Sequence, residues 1–246
     1  MAEIDLLRHY PRAQRTLGKP RSLDPDNVRV ARLFGAEYFD GRREQGYGGY
    51  RYDGRWLPIA RDIVDHFGLE SGDRVLDIGC AKGFLVRDLM TVCPGLEVYG
   101  IDISHYAITH AEKAAQGRLA VASADALPFV DGAFDVTLSI NTLHNLERPR
   151  LITALREMER LAPARGYVQI DAWRNEAERE VFLGWVLTAL TFLKPKDWVA
   201  LFAEAGYRGD YHWTILDPDT QWTDFNDAGD AGADRRDKRN AEVGGA

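Results

Sequence analysis

The sequence predicts a doubly wound α/β fold, in which helices cover both faces of a mostly parallel sheet. Short apolar runs alternate with amphipathic helical patterns along residues 74–172, and this alternation requires crossover connections between parallel strands. The first apolar run, residues 75–78, passes into the small-residue turn 79–83 and then directly into a helical pattern. Such a strand, turn and helix is typical of the first unit of a nucleotide-binding sheet.

Length and composition are those of a globular protein without a general affinity for polyanions. The chain has 246 residues, of which 45% are hydrophobic and 28% charged, and its net charge is −7. Non-specific nucleic-acid binding would need a basic face, so we do not expect nucleic acid as the main substrate. We also expect no membrane contact, because the chain has no apolar run of about 18 residues and its first residues lack a signal-peptide core.

The cysteine content indicates a reduced protein. Cys80 and Cys93 are the two cysteines, too few for a disulfide framework and outside any metal-type cluster. We therefore expect no metal site and a cytoplasmic location. The sequence is compatible with a homodimer but contains no feature that specifies an oligomeric state.

Residues 1–56 precede the sheet and are predicted to form an arm and then a lid. Prolines interrupt residues 1–36, which favours a packing arm with one short helix near 26–34. Residues 38–56 combine five glycines with six aromatic residues, so a regular element is disfavoured while the rings are too large to leave in water. Such a loop could simply seal the edge of the core. We favour a lid, whose ligand-facing side chains would be Tyr47, Tyr50, Tyr52 and Arg55.

The central domain, residues 57–216, contains the predicted helices and strands. An apolar stripe followed by Gly68 predicts a helix over residues 57–67. Strands are predicted over 74–78, 97–101, 119–122, 134–140, 167–172 and 211–216. Further helices are predicted over 83–90, 105–115, 149–161, 176–184 and 196–205. Residues 185–193 fit either a buried strand or a buried helix, and the polar residues 217–246 are predicted to form a loose tail.

Two aspartates follow predicted strands at positions that suit a nucleoside. Asp102 ends the second strand, where an acidic side chain can accept hydrogen bonds from ribose hydroxyls. It could instead cap the next helix, but the preceding glycine turn favours the ribose role. Asp125 follows the third strand and could accept a hydrogen bond from an exocyclic amine such as that of adenine. A loop aspartate is more commonly solvated or turn-forming, so its role depends on the other motifs.

Three motifs together resemble those of the class I S-adenosylmethionine-dependent methyltransferases. DIGCAKG at 77–83, GIDIS at 100–104 and SADALPF at 123–129 occur in the family's order and at suitable intervals. The resemblance covers roughly residues 55–173. It implies a Rossmann-like sheet of seven strands with the last one antiparallel, and S-adenosylmethionine as the cofactor. Ala81 departs from the family, which often has glycine there, but its methyl group is small enough that we expect binding to be retained.

The resemblance also implies which residues contact each part of the cofactor. The turn residues that would hold the methionine end are Asp77, Gly79, Cys80, Ala81, Lys82 and Gly83. The residues that would surround the nucleoside are Asp102 at the ribose, Ile103 at the adenine face, and Asp125 at the adenine amine, with Ala124 and Ala126 nearby. Asn141 would line the methionine side.

Two other functions compete with methyl transfer. A dinucleotide-binding dehydrogenase would have the turn G-x-G-x-x-G facing a pyrophosphate. Asp77 would repel that pyrophosphate but suits the ammonium group of a methionine moiety. A non-catalytic cofactor-binding domain is disfavoured because Asp77, Asp102 and Asp125 are all present. Both comparisons favour a methyltransferase.

Methyl transfer requires mainly that the protein align the acceptor with the methyl donor. Methyl transfer from a sulfonium is an in-line displacement, in which the enzyme orients the acceptor and excludes water. A base is needed for a hydroxyl or protonated amine but not for a carboxylate. His144, after the fourth strand, is the candidate base, although it could equally be a helix-entry histidine that moves no proton. Asp171 is a second candidate, and Trp185 and Thr188 are candidate pocket residues.

The acceptor is predicted to be a small molecule. The residues after the fourth strand, Asn141 to His144, differ from the Asn-Pro-Pro-Tyr sequence of enzymes that methylate amino groups of nucleic acids or glutamine. A natural-product, sugar or amino-acid-like metabolite is therefore expected, with a protein or RNA acceptor as the alternative. No motif selects O-, N- or C-methylation.

Overall fold

A six-stranded, wholly parallel sheet organises the molecule. The computed structural model describes residues 1–10, 17–18, 21–216 and 222–223. The strands of the sheet are β1 (Arg74–Ile78), β2 (Glu97–Asp102), β3 (Leu119–Val121), β4 (Val136–Ile140), β5 (Gly166–Asp171) and β6 (Asp210–Thr214). They lie in the order β3-β2-β1-β4-β5-β6. From β1 the chain first adds strands on one side and then, from β4 onward, on the other, so the order switches between β1 and β4. Ligands of such sheets bind at this reversal, beyond the carboxyl ends of the strands.

Eight α-helices accompany the sheet in the described part of the chain. They are α1 (Pro25–Ala31), α2 (Ala36–Asp40), α3 (Leu57–Phe67), α4 (Phe84–Val92), α5 (His105–Thr109), α6 (Arg148–Leu161), α7 (Glu176–Trp185) and α8 (Pro195–Ala205). Short 3₁₀ turns lie at Arg21–Leu23, Arg43–Gln45, Lys113–Ala115 and Leu143–Asn145. Two-residue strands, Leu17–Gly18 and Trp222–Thr223, pair in parallel outside the sheet. None of the helices in these ranges is both long and apolar enough to span a membrane.

The Rossmann-like parallel architecture is confirmed, but the prediction of seven strands with an antiparallel last strand is wrong for the described residues. β6 pairs with β5 in parallel, from Tyr167 opposite Asp210 to Asp171 opposite Thr214. The other edge of β6 pairs with the start of the chain. Tyr211 N donates to Ala2 O at 3.0 Å, and Ile4 N donates to Tyr211 O at 2.9 Å. The predicted loose tail lies outside the described residues except at 222–223.

Two predicted elements differ from the observed ones for local reasons. The helix predicted over 105–115 ends at Thr109, because the chain turns back towards α4: Glu112 N donates to Lys82 O at 2.9 Å and its carboxylate accepts from Arg87 at 3.1 Å. The glycine-rich loop is not wholly irregular, since α2 includes its first residues and ends at Asp40, with Gly41 as its C-cap. Residues 185–193 were compatible with a strand or a helix; Trp185 ends α7, and residues 186–193 form neither.

The sheet is covered on both faces by apolar helices. α6 and α8 pack on one face, where Trp198 and Phe202 are fully buried. α3 and α4 pack on the other face, with Ile59 and Ile63 buried among them. The N-terminal arm joins this second cluster through Leu6, which is 1% exposed. The arm is therefore part of the core that supports β1.

Leu6→Ala tests this role of the arm. Removing a side chain that is 1% exposed is expected to lower the free energy of unfolding by about 2–5 kcal/mol, since a buried leucine leaves a cavity. Leu33→Ala, at a leucine that is 70% exposed, is the matched control and should change it by less than about 0.5 kcal/mol. Urea unfolding measures both. Similar small losses in the two variants would show that the arm contributes nothing to the core.

Candidate functional site

The turn after β1 lies so close to the turn after β4 that one of its positions accepts only glycine. Gly79 has a φ of +85°, and a Cβ placed there would lie 2.1 Å from Thr142 Oγ1. On its other side the turn is tied to β2, because Gly79 N and Cys80 N donate to Ile101 O at 2.7 and 3.0 Å. The turn is thus held between two strands at the reversal point of the sheet, as the sequence pattern predicts.

Ala81 occupies a backbone conformation that glycine would adopt freely. Its φ is +49°, which costs an ordinary residue roughly 1–2 kcal/mol. Its N–H donates to Asp102 Oδ2 at 2.8 Å, and its methyl group packs in a cluster with Phe39 and Ala107. The hydrogen bond and the packing together explain why alanine is tolerated at this position.

Asp77 is a buried carboxylate that lacks a partner within the described residues. It is 4% exposed, and no hydrogen bond from those residues reaches it. Burial, together with the charge of Asp102, raises the pKa of Asp77 to about 7. A carboxylate in this state is stabilised by any cation placed beside it. Among the described residues, no cation fills this place at the end of β1.

Asp102 accepts hydrogen bonds at the start of α5, and its role at a ribose stays a prediction. Its Oδ1 accepts from Ser104 N at 2.8 Å, which supports the start of α5, while Oδ2 accepts from Ala81 N. Burial raises its pKa even though these backbone N–H groups oppose the shift. Each carboxylate oxygen still has a lone pair for a ribose hydroxyl. The next residue, Ile103, is 56% exposed and presents an apolar surface beside the carboxylate.

Asp125 is engaged by an arginine that the sequence analysis did not identify. Arg150 donates through Nε to Asp125 Oδ2 at 2.6 Å and through Nη2 to Oδ1 at 3.0 Å, and Ser123 also donates to this carboxylate. The Arg150 guanidinium holds the pKa of Asp125 at about 2. Any adenine amine that binds here has to share the carboxylate with Arg150. Only the position of α6 in the fold brings these two residues together.

The other predicted nucleoside and methionine contacts lie around the same edge of the sheet. Ala124 is half-buried against the core, and Ala126 is exposed. The Cys80 side chain packs tightly against Gly100 in the sheet, so only its backbone is available to a ligand. Asn141 follows β4 with a φ of +52°, and its Oδ1 accepts from the Thr214 hydroxyl at 2.7 Å. Among the residues described, no cluster of His, Cys, Asp or Glu is placed to hold a metal ion.

An ion pair between a buried lysine and a partly exposed aspartate links the glycine-rich segment to the turn after β1. Lys82, 7% exposed, places Nζ 2.6 Å from Asp40 Oδ2 and 3.0 Å from Tyr50 O. The same Asp40 oxygen accepts from the Tyr106 hydroxyl at 2.8 Å. Lys82 lies in the motif that the sequence singled out, but nothing in the sequence identifies Asp40 as its partner, because 41 residues of chain between them carry no pairing signal.

An aromatic cluster packs against this turn, where Ala81 belongs to the same cluster as Phe39. Its members are Phe34, Tyr38, Phe39, Tyr47, Tyr50 and Tyr106. The ring of Tyr50 stacks on Phe84 at 4.7 Å and lies 4.4 Å from that of Tyr47. Tyr47 is 43% exposed, and Tyr38 is the largest cause that raises its pKa well above the ordinary value, with a smaller contribution from Asp102.

Two of the predicted substrate residues, Tyr47 and Thr188, interact with the same tyrosine of this cluster. The Tyr38 hydroxyl lies close to both Tyr47 and Thr188, and Thr188 is 6% exposed. Tyr38 was not among the predicted residues, although it belongs to the same glycine- and tyrosine-rich segment.

The remaining predicted substrate residues contact other parts of the protein. The Tyr52 hydroxyl donates to Asp88 Oδ1 at 2.7 Å on α4. Arg55 pairs with Asp53 on the surface. Trp185, at the end of α7, lies under the guanidinium of Arg21 at 4.8 Å.

The two candidate catalytic residues are adjacent but buried. His144 Nε2 is 3.1 Å from Asp171 Oδ2, and His144 Nδ1 accepts from Asp171 N at 3.4 Å. Each side chain is 5% exposed, and burial lowers the pKa of His144 well below its ordinary value. Both ring nitrogens are engaged, so the imidazole has no free atom for an acceptor in this conformation. The pair joins the ends of β4 and β5.

Comparisons with known proteins identify one domain. Residues 76–170 match a family described as a methyltransferase domain. The malonyl-[acyl-carrier protein] O-methyltransferase of Legionella pneumophila is 26% identical over 46% of this chain and 40% of its own length. An uncharacterized methyltransferase of Schizosaccharomyces pombe is 26% identical over 69% of this chain and 72% of its own. An O-methyltransferase of Aspergillus nomiae is 30% identical over 42% and 48%. The chain thus spans less than half the length of two of these relatives.

The variants Gly79→Ala and Gly72→Ala distinguish the cost of a steric clash with Thr142 from the cost of backbone strain alone. Both glycines have positive φ, +85° and +98°, but only a Cβ at Gly79 meets Thr142, while none of the described atoms lies within 4 Å at Gly72. We expect each variant to lose roughly 1–2 kcal/mol of unfolding free energy, and Gly79→Ala to lose about 1–3 kcal/mol more. Thr142→Gly should restore much of that extra loss. Equal unfolding midpoints in urea for the two single variants would refute the tight contact.

Proposed function

We propose that this chain, which belongs to the class I S-adenosylmethionine-dependent methyltransferases, transfers the methyl group of that cofactor to a small-molecule acceptor. The observation that carries the proposal is the buried Asp77 carboxylate, which lies at the glycine turn without a partner among the described residues. An ammonium group would supply the missing charge. A pyrophosphate, as in a dinucleotide, would add repulsion.

In this proposal the residues at the strand ends bind successive parts of the cofactor. Asp77 binds the methionine ammonium beside the turn, and Asn141 lines the same end. Asp102 accepts hydrogen bonds from the ribose, while Ile103 covers the adenine face. Asp125 accepts from the adenine amine and keeps its bonds to Arg150, which hold it ionised. When bound, the cofactor supplies an electrophilic methyl group on a sulfonium.

The segment from α2 to Trp56 serves as a lid in this mechanism. The Lys82–Asp40 pair and the stacking of Tyr50 on Phe84 hold it over the turn. A closed lid excludes water and keeps the acceptor in line with the methyl group. Tyr47 and Thr188, which both adjoin Tyr38, are proposed to contact the acceptor.

A dedicated base is not part of the proposal. Both ring nitrogens of His144 are engaged by Asp171, which suits a positioning role at the strand ends. A base role for His144 or Asp171 stays a prediction, and it would require the pair to separate. An acceptor that is already anionic would need no base.

The aromatic cluster over the turn favours a small acceptor over a macromolecule. A site covered by this cluster fits a metabolite, whereas an RNA or protein acceptor would need an open surface at the methyl group. Two of the similar proteins are O-methyltransferases, which supports oxygen as the atom methylated. The unpaired Cys80 and Cys93 suit the reducing cytoplasm that we propose as its location. A protein or RNA methyltransferase is the alternative function, and a non-catalytic cofactor-binding domain is the second.

S-adenosylhomocysteine binding tests the cofactor assignment. Binding is expected to raise the melting temperature of the wild-type protein, and Asp77→Asn should weaken it at least tenfold in calorimetry because an ion pair is lost. Since the pKa of Asp77 is about 7 without ligand, protonation competes with the ligand at low pH. Affinity should therefore fall as the pH drops from 8 to 6, by up to about tenfold per unit.

Asp65→Asn is the control for that experiment, because Asp65 is exposed on α3. It should leave both the affinity and its pH dependence unchanged. The absence of any ligand-induced stabilisation in the wild-type protein would refute the cofactor assignment. A pH dependence that persists in Asp77→Asn would show that another group holds the ammonium.

Asp40→Asn tests the lid. Loss of the charge that pairs with Lys82 should accelerate dissociation of S-adenosylhomocysteine by roughly tenfold, since a buried lysine is left without its counterion. Asp53→Asn, in the same segment but paired with Arg55 on the surface, is the control and should dissociate at the wild-type rate. Stopped-flow tryptophan fluorescence measures both rates. Unchanged release from Asp40→Asn would show that the segment does not gate the cofactor.

A further inference from the structure

Arg21 is a buried cation at the base of the lid. It is 8% exposed, and three carbonyl oxygens fix its guanidinium: Nε donates to Trp185 O at 2.8 Å, and Nη1 donates to Arg43 O at 2.9 Å and to Gly46 O at 2.7 Å. The guanidinium also lies over the Trp185 ring. Its plane is therefore set by α7 on one side and by the glycine-rich segment on the other.

No carboxylate of the described residues compensates the charge of Arg21. All three acceptors are neutral carbonyl groups, and within the described residues no Asp or Glu forms an ion pair with it. Its Nη2 group makes no hydrogen bond with those residues. Burial, reinforced by the nearby charge of Arg43, lowers the pKa of Arg21 to about 10. Buried charges are normally paired, because removing an ion from water is costly. The three carbonyl bonds explain how the guanidinium is positioned but leave its charge unmatched.

The surroundings of Arg21 connect it to the aromatic cluster. Tyr38 and Tyr47 are both close enough to raise the pKa of Arg21, and the same two tyrosines interact with Asp102. Thr188 adjoins Tyr38 and lies three residues beyond Trp185. The guanidinium of Arg21 thus lies close to a group of hydroxyls that could donate to a ligand.

We propose that Arg21 binds a carboxylate group of the methyl acceptor and so restricts acceptors to monoanionic compounds. Because Nε and Nη1 already donate to carbonyl groups, the two N–H groups of Nη2 are the ones left to donate to a carboxylate, whose single charge the guanidinium matches. The tyrosine hydroxyls can donate to the same group. A phosphate dianion would call for more positive charge than one guanidinium supplies. The proposal rests on the methyl-transfer function above and specifies its substrate class. The bound carboxylate acts as a handle that orients the acceptor.

Matched acid and amide pairs test this proposal without knowledge of the natural acceptor. The protein is saturated with S-adenosylhomocysteine and titrated with benzoate and benzamide, and with hexanoate and hexanamide, by ligand-observed NMR. At least one acid should bind about tenfold or more tightly than its amide, the size expected for hydrogen bonds to a charged group. Phenyl phosphate is included as a dianionic probe and should bind no better than benzoate.

Arg21→Gln should abolish the preference for the acid while leaving the affinity for S-adenosylhomocysteine within about twofold of wild type. Arg29→Gln is the matched control, because Arg29 lies on the exposed side of α1 and pairs with Asp26; it should keep the preference. If Arg21→Gln does not fold, Arg21→Lys and the wild-type acid and amide pairs decide the question. The lysine variant should retain part of the preference, since it keeps the charge and loses the guanidinium's positioned Nη2 donors.

Several outcomes would overturn the proposal. One is that no acid binds better than its amide although S-adenosylhomocysteine binds; this leaves the methyltransferase assignment intact. Another is a preference for phenyl phosphate over benzoate, which would mean a dianion site. A third is an acid preference that persists in a folded Arg21→Gln protein. If S-adenosylhomocysteine itself fails to bind, the proposed function fails first.

Discussion

The site depends on a backbone contact between the ends of two strands. The turn after β1 is held by the carbonyl of Ile101 on one side and meets Thr142 on the other, with Gly79 providing the only backbone that fits between them. This contact fixes the direction in which Asp77 leaves β1 and the position at which Ala81 N reaches Asp102. The parallel order of β2, β1 and β4 makes it unavoidable, because the strand ends meet at the reversal of the sheet.

Around this turn the protein buries charges that its own described residues do not match. Among those residues Asp77 has no cation beside it, and Arg21 has no anion. Unmatched buried charges lower stability and so are expected where a ligand completes the pairing. The two charges have opposite signs, and each lies near tyrosines of the aromatic cluster. A cationic methyl donor and an anionic acceptor would together neutralise both, which is the electrostatic arrangement that favours bringing the reactants into contact.

Not every titratable group in the site has this character. Asp125 is ionised and paired with Arg150, and His144 and Asp171 satisfy each other between β4 and β5. These groups stabilise the edge of the sheet before any ligand enters. These paired groups differ from Asp77 and Arg21, whose charges are unmatched among the described residues. For this reason we propose Arg21, and not His144, as the residue that distinguishes acceptors.

The sequence by itself determined the sheet, the glycine turn and the aspartates at the strand ends, because strand and helix periodicities are local and the strand ends of a parallel sheet share one edge. Only the tertiary structure decided which distant side chains meet there: Lys82 with Asp40, and Asp125 with Arg150. It also decided that β6 runs parallel to β5 with the N-terminal arm along its outer edge. Pairing between segments far apart in the chain depends on three-dimensional packing and leaves no periodic signal in the residues themselves.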